Sequence, residues 1–94
     1  MKMPRKLDFT AFARKSLENL APELSQEALL QLRIIASNLI GDPVLDADIG
    51  AYDLPSSARL LTRQVSTHIT LHIYFEYIGD ATVIIWQIDV TTKI

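Results

Sequence analysis

The sequence predicts an α+β fold of two layers, a helical hairpin packed on one face of a small antiparallel sheet. Two apolar stripes at helical spacing follow one another between residues 8 and 40. Two alternating runs flank Gly79-Asp80 in the stretch THITLHIYFEYIGDATVIIWQIDV, residues 67–90. The third observation is length. Ninety-four residues make one domain, whose single core buries about 65% of the unfolded chain's surface.

Taken in order, residues 2–7 read as a short edge strand or an arm, since Pro4 has no amide for a central ladder. From Asp8 onward, Phe9, Phe12, Ala13, Leu17 and Leu20 recur at helical spacing, with Asp8 or Thr10 as the oxygen that caps the first free amides. Ala21-Pro22 ends this helix near Leu20. A second helix runs from Pro22 or Ser25 to Ile40, with Leu24, Ala28, Leu32, Ile35 and Leu39 as its stripe. Gly41 supplies the left-handed residue beyond its end and Pro43 stops it. The short link makes the two helices antiparallel. Residues 42–57 read as a long connecting loop carrying apolar Val44, Leu45, Ile49, Tyr52 and Leu54. The segment ARLLTRQV, residues 58–65, reads as a strand with Arg59, Leu61, Arg63 and Val65 on one side, and either side suits the core.

The last two strands form a hairpin. Gly79-Asp80 suits a two-residue turn with Gly at the position that needs positive φ. Ile78 then opposes Ala81, and the apolar pairs are Phe75–Ile84, Ile73–Trp86, Leu71–Ile88 and Ile69–Val90. The other side carries Glu76, Tyr74 opposite Ile85, His72 opposite Gln87, and Thr70 opposite Asp89. Helices on the apolar side leave this second set uncovered. Tyr74, Ile85, Gln87 and Asp89 are therefore the expected partner-binding residues.

Composition narrows the function classes. The absence of cysteine excludes a disulfide framework, a thiol nucleophile and a cysteine-based zinc site. No apolar stretch approaches the ~20 residues of a membrane span, and the start MKMPRKLDF lacks a signal peptide's apolar core. A cytoplasmic protein is expected. A net charge of −2 argues against broad nucleic-acid binding, although Lys2, Arg5, Lys6, Arg14 and Lys15 crowd the first fifteen positions. Solvated helix ends account for that crowding more simply than a binding patch does.

Among candidate sites, His68 and His72 share a strand face but lie ~13 Å apart, too far to hold one metal ion. His72, with Asp89 to orient its imidazole, makes an acid/base cluster on paper, while a plain solvated sheet face explains the same residues. Arg59 and Arg63 share a face and, with His72 near, suit a phosphate or carboxylate; solvent exposure explains them about as well. Tyr77 and Trp86 fall on the apolar side and read as core and rim. No Gly-rich phosphate loop, nucleophile elbow or paired-carboxylate motif occurs, and no cofactor is expected.

The order of a helical hairpin, the arginine strand Arg59-Leu60-Leu61-Thr62-Arg63, the strand His72-Ile73-Tyr74-Phe75-Glu76-Tyr77 and the final strand from Thr82 to Val90 resembles the RelE/ParE superfamily of bacterial toxin components. The likeness spans residues 6–93 and rests on element order and β-pattern. It implies a growth-inhibiting protein paired with a cognate antitoxin. RelE-like members cleave messenger RNA on the ribosome and ParE-like members inhibit DNA gyrase. By this resemblance the catalytic positions would be Arg59, Arg63, His72 and Lys93. Three features depart from the nucleases: the sequence stops at Ile94, before the C-terminal catalytic segment; its balance is acidic; and His72 stands where a guanidinium is usual. The second class of function is a non-catalytic protein-interaction module, a degenerate toxin fold or a small α+β dimer, suggested by the acidity and by Val83 and Ile85 beside polar residues.

Overall fold

The computed structural model describes residues 3–43 and 57–93. The helices α1 (Ala11–Glu18) and α2 (Pro22–Ser37) follow a first strand, β1 (Lys6–Phe9). Then come β2 (Asp42–Pro43), β3 (Arg59–Gln64), β4 (Ile69–Ile78) and β5 (Thr82–Thr92). The strands form one sheet in the order β1-β5-β4-β3-β2. All pairings are antiparallel except that of β1 with β5, which is parallel. The two-layer α+β fold and the meander are as expected. The N-terminal segment is an edge strand over residues 6–9: Pro4 has no amide to give a ladder, the Arg5 amide goes to the Ala36 carbonyl, and pairing begins at Lys6.

Thr10, not Asp8, caps α1. Its Oγ1 accepts the Ala13 amide at 3.0 Å and donates to the Trp86 carbonyl at 2.9 Å, so one hydroxyl starts the helix and fastens it to β5. Asp8 is in strand β1. Pro22 opens α2, where the missing amide costs nothing. That helix stops at Ser37, three residues before the expected Ile40, because Asn38 turns extended (φ −126°). The Tyr77 hydroxyl stabilises this stop. It accepts the Ile40 amide at 3.1 Å and reaches the carbonyls of Ile35, at 2.8 Å, and Asn38.

Gly41 has positive φ (+97°), but not as a helix cap. A Cβ there would stand 2.6 Å from Cζ of Phe75, so a close approach of backbone to ring requires glycine. Of the segment expected to be a loop, Asp42–Pro43 is a strand paired with Leu60 and Arg59. The apolar residues Val44, Leu45, Ile49, Tyr52 and Leu54 lie outside the described residues.

The hairpin register differs from the expected one. Ile78 opposes Thr82, so the turn has three residues, Gly79 to Ala81, with Gly79 at φ +63°. A second shift follows at Trp86, an extra residue between the pairs Phe75–Ile85 and Tyr74–Gln87. The pairs on the helix side are therefore Tyr77–Val83, Phe75–Ile85, Ile73–Ile88 and, at the exposed end, Leu71–Val90. Val83 and Ile85, expected to be exposed, are fully buried, and Trp86, expected in the core, is outside it. The helix layer supplies the reason. Ala13 and Ala28 are fully buried in one cluster with Phe75, Val83 and Ile85, and small helix side chains over the sheet suit branched aliphatic partners better than an indole. Each fully buried valine, leucine, isoleucine or phenylalanine contributes about 1.5–3 kcal/mol.

Candidate functional site

Directly paired residues share a face, so the registers divide the sheet into rows. One row of the helix-covered face runs Phe9, Ile85, Phe75, Arg59; another runs Val90, Leu71, Arg63. The opposite face has the rows Asp8–Ile84–Glu76, then Gln87–Tyr74–Leu60–Asp42, then Asp89–His72–Thr62, then Thr91–Thr70–Gln64. No described helix covers this second, open face.

The four residues assigned to catalysis are not brought together. Arg59 lies on the helix side, where its Nη1 donates to the Gly41 carbonyl at 2.9 Å. Arg63 lies on the same side, with its Nε 3.0 Å from Oε1 of Glu27 on α2. The Glu27 carboxylate also accepts from Gln31 at 3.1 Å, so Arg63 closes a tie between α2 and β3. His72 is on the other face, with Nε2 3.0 Å from the Thr91 hydroxyl and Nδ1 3.5 Å from that of Thr62. Lys93 follows β5 at the end distant from the turn, its amide bonded to the His68 carbonyl at 2.7 Å. The sheet itself separates both guanidinium groups from the imidazole, which no rotamer can repair.

Asp89 is directly opposite His72, not one row away. Its carboxylate accepts the Gln87 side-chain amide rather than a ring nitrogen of His72. Gln87 is only 8% exposed, and that hydrogen bond satisfies its buried amide. Of the expected partner-binding set, Tyr74, Gln87 and Asp89 are on the open face. Ile85 is not, being 0% exposed in the core.

Glu76, expected on this side, and Trp86, expected on the other, complete the face together with Ser57. Trp86, bulged outward, donates its indole N–H to Oε1 of Glu76 at 3.3 Å, and Ser57 donates its hydroxyl to Oε2 of the same carboxylate. Bulges commonly re-aim a side chain, and here the bulge delivers an indole to the open face beside a fixed carboxylate. A signal for it exists in the sequence. The apolar alternation of β5 changes phase between Val83-Ile85 and Ile88-Val90, which a continuous strand cannot do without one surplus residue.

Among the described residues no group of three His, Asp or Glu side chains could hold a metal ion. No helix among them is long and apolar enough to cross a membrane. Comparison of the chain with protein-family models, with curated proteins and with solved structures finds no match.

Proposed function

We propose that this chain is the toxin-type member of a bacterial toxin–antitoxin pair of the RelE/ParE kind. In this reading it works in the cytoplasm by binding a protein target, as gyrase-directed members do, and not by cutting RNA. A cognate antitoxin neutralises it. The element order of strand, helical hairpin and three-stranded meander supports the family part of the reading. One observation carries the preference for binding: Arg59 and Arg63 face the helices while His72 faces away from them. Phosphoryl transfer needs a proton acceptor and cationic groups converging on one phosphate. Here each arginine already serves a structural partner.

Induced expression in bacteria tests this. Growth should arrest, co-expression of the adjacent gene's product should relieve the arrest, and message ends mapped during arrest should show no new cuts. Unimpaired growth on strong expression would remove the toxin assignment. Site-specific message cleavage that disappears in His72→Ala would instead restore the nuclease.

A further inference from the structure

We infer that the open face of the sheet receives an extended, arginine- or lysine-bearing segment of a partner protein. The inference rests on reading this face as a binding surface and adds the chemistry of what binds. Within its strands the face carries Asp8, Asp42, Glu76 and Asp89 against a single cation, Lys6. Lys6 is 3.8 Å from Asp8 and is spent there. Lys93 stands beyond the far end of β5, four residues past Asp89. The surplus of carboxylates repels a nucleic-acid backbone and attracts a cationic chain.

Geometry selects an extended chain. Glu76 and the residue opposite Asp89, His72, are four apart on β4, a separation of ~13 Å. An extended segment with cations at positions i and i+4 has the same spacing. Between the two carboxylates lies aromatic surface, Trp86 and Tyr74, both half-buried. The indole N–H holds the Glu76 carboxylate at the ring's edge. A guanidinium there would meet a carboxylate and a π-face together, the two groups that bind it best.

Trp86 is the only tryptophan, so its fluorescence reports on this face alone. The probe is a peptide of about ten residues, threonine-rich, with arginines at i and i+4. Titration into the full chain should change Trp86 emission saturably and weaken as salt is raised. Glu76→Gln with Asp89→Asn should weaken binding about tenfold or more. Asp42→Asn with Asp89→Asn is the second variant should loss of the Ser57 and Trp86 contacts unfold the first. Absence of a saturable change would overturn the inference. So would equal affinity in the folded variants, or tighter binding of a single-stranded RNA of similar length. Failure of growth arrest would leave peptide binding standing, so the two readings fail separately.

Discussion

Gly41 is held between Phe75 and Arg59, with its carbonyl accepting from the Arg59 guanidinium at 2.9 Å. Gly41→Ala would bring a methyl to 2.6 Å from the Phe75 ring in a left-handed conformation. The conformation alone costs about 1–2 kcal/mol and overpacking adds about 1–3 kcal/mol. Urea denaturation should show the sum, with the m-value unchanged. Tyr77 works at the same scale. Its hydroxyl satisfies the Ile40 amide and the carbonyls of Ile35 and Asn38 at the end of α2, while its ring lies under the Arg5 guanidinium at 4.7 Å. Tyr77→Phe keeps the ring and removes the tie, and should cost about 1–3 kcal/mol. In hydrogen exchange the loss should appear first at the amides of residues 38–40.

The decisive element is β5, whose two halves point alternate residues at the core in opposite phase across Trp86. Deleting Trp86 would leave Ile85 opposite Phe75 and Gln87 opposite Tyr74 with no surplus residue between them. The variant is therefore expected to fold with the same faces, checked by an unchanged far-UV spectrum and a cooperative melt. It should lose the carboxylate contact on the open face and, with it, peptide binding, read by calorimetric titration because the single tryptophan is gone. The element-level cost falls on α1, because the Thr10 hydroxyl donates to the Trp86 carbonyl. Thr10→Ala removes both that bond and the helix cap, and should cost about 1–2 kcal/mol in chemical denaturation.

At the scale of the molecule, the sheet sorts charge as well as hydrophobicity. Arg59 and Arg63 tie the helix layer and its flank to β3, while the acidic residues of the strands collect on the opposite face. Arg63→Ala should therefore cost at most about 1 kcal/mol, since its ion pair with Glu27 is more than half exposed on the arginine side. It should also leave growth arrest intact, read as colony formation under induction. Glu76→Gln with Asp89→Asn, which keep an acceptor oxygen at each position, are expected to do the reverse, reducing the arrest in a protein that still melts cooperatively. Arrest abolished by Arg63→Ala in a folded protein would count against the division of labour between the faces.

Helix periodicity, the capping hydroxyl of Thr10, Pro22 and the alternation around Gly79 are local signals, so element order, the two layers and the identity of Phe75 and Ile73 as core were legible in the chain by itself. That Tyr74, Gln87 and Asp89 lie on the uncovered face was legible for the same reason. What only the tertiary structure decided was registration. A turn one residue longer than expected and one bulge moved Ile85 inward and Trp86 outward, and the face β3 presents to the helices carried its arginines away from His72. Strand alternation has a period of two, so each single-residue shift inverts a face, and which inversion is adopted depends on the space the helices leave above the sheet.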